Sequence, residues 1–420
     1  MSKLRVFETF AGIGAQHKAL EILKNNIKDF DYEIAGTSEW DMWANISYNA
    51  IHHNNKNIAQ KLTDSEINEF IKKFTLSNDG KKPCDFKFIN RQSRQFKEML
   101  YSSLKNCNNQ GSILEITGKK LIDNIGEFDL LTYSFPCQDL SVAGSFHGFN
   151  QGMAKGSGTR SGLLWEIERI LKDLKKINKL PKYLLLENVK NMISNKHKED
   201  YIEWLEFLAS LGYETKTYIL DSSEYGIPQK RKRVYAVSVQ KNQDNEIDIS
   251  NFVNNNDEVK DLSKEFKIDM SLEGVLKVDY SIEKYEDEAK KSTPNNTPSR
   301  IKMYNENPTL YEIKKDKPSY LQNVRTITTK QDRHPNAGII DLQKSSIIKE
   351  LKKIGKSNYR FLTPRETFLL MGFTEDDFEK ASKNIKRKDI LYRQAGNSIV
   401  VNVLVALFNN MMKEGEKYDK

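Results

Sequence analysis

The first 240 residues alternate short apolar runs with segments of helical periodicity, and this rhythm restricts the fold more than any other feature of the chain. "LRVFETF" (Leu4 to Phe10) and "YEIAGTSEW" (Tyr32 to Trp40) read as strands. Between them, "AQHKALEILKNN" places Ala15, Leu20, Ile22 and Leu23 at helical spacing. "FDLLTYSF", "KYLLLEN" and "RVYAVSV" are further strand candidates, with the helical segments "GLLWEIERILKDLKKI" and "DYIEWLEFLASLGY" among them. Such alternation predicts an α/β domain over residues 1–240, built on a mostly parallel sheet. Two stretches break the rhythm. Residues 54–112 are rich in Lys, Asn and Ser and read as an insertion with short helices of its own. Residues 241–357 lose the alternation and read as a smaller, loop-rich domain. Residues 358–420 are then expected to return and complete the first domain. The closing "SIVVNVLVALFNNMM" is apolar on more than one face, so it should be buried.

Composition excludes several classes. A chain of 420 residues, 38% hydrophobic and 30% charged, can bury a full core and still carry a second domain. No apolar run approaches the roughly 20 residues needed to span a membrane, and the start "MSKLRVFETF" has no signal-peptide layout, so a cytoplasmic protein is expected. Three cysteines (Cys84, Cys107, Cys137) and six histidines show no metal-ligand or disulfide spacing, and no metal is expected. The net charge of +8 suits a polyanionic partner, but a Lys- and Asn-rich coding bias accounts for it equally well.

Chemistry concentrates at the ends of the strands. In "YSFPCQDLS", Cys137 follows Pro136 where an apolar run gives way to the glycine-rich segment Ser141 to Gly162. A cysteine there is either a half-buried structural thiol or a functional group at a strand–loop junction. The first turn, "FAGIG", has Gly12 and Gly14 but carries His17 where a dinucleotide fingerprint has its third glycine. An adenosine ligand without phosphates, such as S-adenosylmethionine, fits that turn better than a dinucleotide. Glu39, at the end of the second strand, is placed to bind ribose hydroxyls, with Trp40 beside the adenine. "LLLENV" ends a strand on Glu187-Asn188, which is either a turn pair or a carboxyl group at a ligand-binding sheet edge. "QKRKR" sets Gln229, Arg231 and Arg233 two apart, on one face of an extended segment.

Together these segments resemble the DNA cytosine-5 methyltransferase family of restriction-modification systems. "FAGIG" is similar to its cofactor motif, "SFPCQDLS" to its Pro-Cys motif, "ENV" to its carboxylate motif and "QKRKR" to its Gln-x-Arg-x-Arg motif. "YRFLTPRETFLLMGF" and "AGNSIV" resemble the segments that follow the family's target-recognition domain, and the order along the chain is the family's order. The resemblance implies a Rossmann-like methyltransferase domain and a smaller recognition domain. It also implies a monomer acting on double-stranded DNA, with a restriction endonuclease for the same site as a candidate partner.

The resemblance further assigns roles. Cys137 is the nucleophile that adds to cytosine C6, with Gln138 beside it. Glu187 contacts N3 and the exocyclic amine, and Arg231 and Arg233 orient Glu187 or hold the base and its phosphate. The cofactor, which leaves as S-adenosylhomocysteine, meets Phe10, Gly12, Gly14, Glu39, Trp40, Pro136, Leu164, Asn397 and Ser398. Glu115 in "LEIT" stands where many members carry an aspartate for the adenine amine. Ser141, Arg160, Gln229, Thr326 and Thr328 are expected at the DNA, the two threonines lying in "VRTITTKQDRHPNAG". The glycine-rich segment is expected to close over a flipped base. The alternatives are a tRNA cytosine-5 methyltransferase with the same motifs, an inert DNA-binding module of the same fold, and a nicotinamide oxidoreductase. The long segment 241–357 speaks for a duplex reader. The joint presence of Cys137, Glu187 and Arg233 speaks against inertness, and the missing third glycine against the oxidoreductase.

Overall fold

In the computed structural model, residues 3–137, 140, 152–156, 160–241 and 252–418 are described. Among the described residues of the first 240, seven strands occur: β1 (Leu4–Thr9), β2 (Tyr32–Ser38), β3 (Leu130–Tyr133), β4 (Tyr183–Val189), β5 (Tyr213–Asp221), β6 (Gln229–Lys230) and β7 (Lys232–Gln240). The described chain divides into two compact units. One comprises Met1–Leu220, Lys232–Lys260 and Leu404–Lys420; the other comprises Asp221–Arg231 and Asp261–Val403. The division differs from the expected limits 241–357, because the second unit takes in Asp221–Arg231, ending inside "QKRKR", and keeps the chain as far as Val403.

The first unit is built on a six-stranded sheet in the order β2-β1-β3-β4-β7-β5. β1 pairs in parallel with β2 and β3, β3 pairs in parallel with β4, and β7 runs antiparallel to β4. All four residues of β3 are buried, as a central parallel strand covered on both faces requires. Its core joins Phe7, Leu131, Leu164, Leu186 and Trp204. Beyond β2, a parallel bridge joins Thr37 to Asn109 at the end of the insertion. Residues 54–112 do carry short helices, Asp64–Ile71, Phe86–Asn90 and Arg94–Asn106, and pack Ile67, Ile71, Leu100 and Leu104 into a separate apolar cluster. Thr63 and Glu66 close a capping box at the start of the first of these helices. In the closing helix Val401–Tyr418, residues Leu404 to Phe408 and Met411 are buried, as its many-sided apolarity requires.

The second unit has more regular structure than a loop-rich reading suggests. β8 (Thr309–Lys314), β9 (Lys317–Tyr320), β10 (Val324–Arg325), β11 (Ile339–Asp341) and β12 (Tyr359–Arg360) follow in the chain. β12-β11-β8-β9 form one sheet, and β10 pairs in parallel with β6. Leu310, Val324, Ile340, Leu362 and Leu370 share its core.

Candidate active site

β3 and β4 deliver the two principal residues to one edge. Tyr133 pairs with Leu186 in the parallel ladder, so Pro136-Cys137 and Glu187 leave neighbouring strands at their carboxyl ends. Open α/β sheets bind ligands at that edge. The backbone around Cys137 is fixed by side chains. Asn188 Nδ2 donates to the Phe135 carbonyl at 3.1 Å, Ser161 Oγ to the Pro136 carbonyl at 2.7 Å, and Asn191 Nδ2 to the Leu140 carbonyl at 2.6 Å. The Leu140 N–H closes a turn onto the Cys137 carbonyl at 3.1 Å. Asn188 and Ser161 are buried, whereas Cys137 is half-buried and in no disulfide. Ser161 and Asn191 escape a reading of the sequence, since a polar residue that supports a loop backbone leaves no periodic signal. Gln138 and Ser141 lie outside the described residues, as does most of the glycine-rich segment.

Glu187 forms an ion pair with Arg233, whose Nε lies 3.3 Å from Oε1. The pair spans the antiparallel β4–β7 ladder. Tyr235 is opposite Glu187 and Arg233 is opposite Val189, which makes the contact a diagonal one on a single face. Arg231 has a different occupation. Its guanidinium donates to the carbonyls of Ile327, Gly396 and Ser398 at 3.0, 3.2 and 2.9 Å, within the second unit. Gln229, expected at nucleic acid, is wholly buried there. Its amide donates to the Leu370 carbonyl at 2.8 Å and accepts from the Ile327 N–H at 2.9 Å, so its side chain acts within the core. Thr326 donates to the Lys230 carbonyl at 2.8 Å, and both Thr326 and Thr328 are half-buried. "QKRKR" is therefore one motif with two structural duties, because regular pairing breaks at Arg231 between β6 and β7.

The first turn runs through left-handed backbone, which Gly12 and Gly14 adopt without strain. Phe10, Gly12 and Gly14 all have positive φ, at 52°, 56° and 81°. Gly12 opens onto space, since a Cβ there would meet only the Phe10 carbonyl at 4.0 Å. Gly14 differs, because a Cβ there would lie 2.3 Å from His52 Nε2. The Glu39 carboxylate accepts from the Gly12 N–H at 3.0 Å and the Asp41 N–H at 2.7 Å, which ties the end of β2 to the turn. Burial and the neighbouring Asp41 push its pKa up to about 7, against those backbone hydrogen bonds. An open glycine at positive φ and a carboxylate poised beside it fit the ribose and adenine of a nucleoside cofactor.

His17, where a dinucleotide site has glycine, lies behind the turn. Its ring stacks on His52 at 4.2 Å and its Nδ1 lies 2.9 Å from the Tyr48 hydroxyl, which donates to buried Glu8 at 2.7 Å. His52 Nε2 donates to the Ile13 carbonyl at 3.0 Å. Burial holds the pKa of His17 down to about 3 and raises that of Glu8 to about 7.

The remaining expected residues divide. Pro136 and Trp40 are half-buried beside the edge. Leu164, expected as a cofactor contact, is wholly buried in the core of the first unit. Glu115 is exposed in the short turn Ile113–Glu115 and accepts from the Thr75 hydroxyl. Asn397 ends the helix Lys388–Asn397 and Ser398 caps it, both in the second unit. Arg160, expected at a phosphate, donates to the Gly80 carbonyl at 2.7 Å.

Residues 85–413 match the family described as C-5 cytosine-specific DNA methylase. The type II methyltransferase M2.ScrFI of Lactococcus lactis subsp. cremoris is 36% identical over 420 residues, covering 98% of this chain and 99% of the relative. The orphan methyltransferase M.SssI of Spiroplasma monobiae is 34% identical over 425 residues, with 97% of each covered. Among solved structures, the S. pombe Dnmt2 methyltransferase superposes with a TM-score of 0.57 at 20% identity, over 98% of this chain and 99% of that one, which shows the shared fold. With these relatives and this arrangement of strand ends, the chain belongs to the C-5 cytosine-specific DNA methylase family and is a DNA cytosine-5 methyltransferase.

Proposed function

We propose that the protein methylates C5 of a flipped-out cytosine in a short duplex sequence through a covalent bond from Cys137 to C6, with S-adenosylmethionine as the methyl donor. The observation that carries this reading is the delivery of Cys137 and Glu187 to one sheet edge, with Asn188 bonded to the backbone two residues before the thiol. Cytosine C5 is a weak nucleophile. Addition of the Cys137 thiolate to C6, with Glu187 as the proton donor at N3, converts the ring to an enamine with electron density at C5. Arg233 holds the Glu187 carboxyl group in place across β4–β7. After methylation, loss of the C5 proton to solvent expels the thiolate, N3 returns its proton to Glu187, and the aromatic ring is restored. S-adenosylmethionine, when bound, supplies an electrophilic methyl group; Gly12 lets its nucleoside approach the turn, and Glu39 would accept from its ribose. Extraction of the base from the duplex costs on the order of a few kcal/mol, which contacts to the flipped base must offset.

The relatives bear the names of type II and orphan methyltransferases. On the pattern of the type II relative, we propose protection of host DNA beside an endonuclease for the same site as the role here. Bisulfite sequencing of plasmid DNA from a host expressing this chain, beside the Cys137→Ser variant, tests the reading. Protected cytosines in one recurrent context, absent with the variant, are expected. Complete conversion with soluble wild-type protein would remove the DNA reading and make RNA the next substrate to assay.

A further inference from the structure

Within the insertion, residues 75–82 meet the chain on the cofactor side of the first unit. The Thr75 hydroxyl donates to Glu115, and a Cβ on Gly111 would lie 3.2 Å from the Phe74 ring. The Ser77 N–H donates to the Trp40 carbonyl at 2.7 Å, and the Ser77 carbonyl accepts from the Met42 N–H at 2.9 Å. These bonds hold the segment against the chain just beyond Glu39. Trp43 Nε1 donates to Asn78 Oδ1 at 2.8 Å. The segment then turns tightly. The Ser77 hydroxyl is buried, donates to the Lys82 carbonyl at 2.6 Å and accepts from the Gly80 N–H at 3.0 Å, with Gly80 at φ +68°. That turn presents the Gly80 carbonyl to Arg160, one residue before the Ser161 that fixes the Pro136 backbone.

One stretch of eight residues thus touches the neighbours of the ribose acid, the acid at the adenine side and the segment that supports Cys137. We propose that residues 75–82 form a wall of the S-adenosylmethionine site, and that Arg160 is a positioning residue latching the Pro-Cys support to that wall through the Gly80 carbonyl. The inference rests on the cofactor reading above. It gives the insertion a structural purpose, which is to hold the nucleoside site and the thiol-bearing turn in one register. A charged donor on a carbonyl is among the stronger single hydrogen bonds, so losing it should be felt at the site it organises.

Two binding measurements separate a latch from a phosphate contact. Binding of S-adenosylhomocysteine to the full chain without DNA is measured by calorimetry, and binding of duplex DNA without cofactor is measured across a salt series. Arg160→Met should weaken S-adenosylhomocysteine about fivefold or more while leaving DNA affinity and its salt slope unchanged. Arg160→Lys, which keeps one donor for the carbonyl, should recover most of the loss. Ser77→Ala loosens the turn without touching Arg160 and should weaken the same ligand at least twofold. Unchanged S-adenosylhomocysteine affinity in Arg160→Met would overturn the latch. So would a loss confined to DNA binding with the salt slope reduced by about one, which is the mark of a phosphate contact. Failure of the wild-type chain to bind S-adenosylhomocysteine would remove the cofactor reading, and the latch with it.

Discussion

Each unit holds an arginine–glutamate pair drawn from motifs the family shares, and the two pairs are built for different ends. In the second unit, Arg360 and Glu366 are both wholly buried and meet through two bonds of 2.8 Å. Arg360 also donates to the Tyr280 hydroxyl and to the carbonyls of Phe361 and Lys277, while Glu366 accepts from the N–H groups of Lys277 and Thr363. The pair locks the entry to the helix Pro364–Leu369. In the first unit, Arg233 reaches Glu187 through a diagonal contact at the end of a ladder, with side chains 15% and 11% exposed. A motif match gives both pairs equal weight. Burial and bond count separate a structural lock from a carboxyl group held at an edge that a substrate can reach.

That distinction can be broken by substitution, and the largest effect should fall on chemistry. Glu187→Gln should lower kcat by about 10²- to 10⁴-fold, the range for loss of a general acid, while the unfolding midpoint barely moves. Arg360→Met should do the reverse. It strands a buried glutamate and should cost about 3–5 kcal/mol of stability in denaturant titration, with near-normal methyl transfer by the molecules that remain folded. Arg233→Met sharpens the contrast: it should cost less stability than Arg360→Met, because the Arg233–Glu187 contact is less buried than the wholly buried Arg360–Glu366 pair, yet kcat should fall. That fall should vanish in the Glu187→Gln background, because the arginine acts through the carboxyl group.

The smallest expected effect is a pH dependence at the cofactor turn. Glu39 titrates near 7 in the free protein. Its ionised form is the better acceptor for ribose hydroxyls, so binding should lower its pKa. Affinity for S-adenosylhomocysteine should then rise with pH through 7, by up to about tenfold between pH 6 and 8. Glu39→Gln should flatten that profile.

Much of this is legible in the sequence because parallel strands announce themselves. β1, β3 and β4 are buried apolar runs, and their ends carry the residues with chemistry. β5 escapes notice because it lies at the end of the sheet order, where Glu214, Thr215 and Lys216 are only half-buried and interrupt the apolar pattern. The β8–β9 hairpin is hidden for another reason. Its turn places Lys315 and Asp316 at positive φ without the Asn-Gly or Gly signal that usually marks such a turn. The division of labour within "QKRKR" is hidden as well. A spacing of two fixes which face side chains share, but the break at Arg231 between β6 and β7 decides what each side chain meets. The tie from Arg160 to Gly80 joins residues 80 positions apart, and no local pattern encodes it.

The central claim is the covalent role of Cys137, and a trapped adduct tests it most directly. Replacing the C5 hydrogen of the target with fluorine removes the proton whose loss releases the enzyme. Incubation with S-adenosylmethionine and duplex DNA containing 5-fluorocytosine should therefore leave the wild-type chain bound to DNA after denaturation. Peptide mapping should place the bond on Cys137, and Cys137→Ser should give none. An adduct on another residue, or full methylation of ordinary cytosine by the serine variant, would contradict the account.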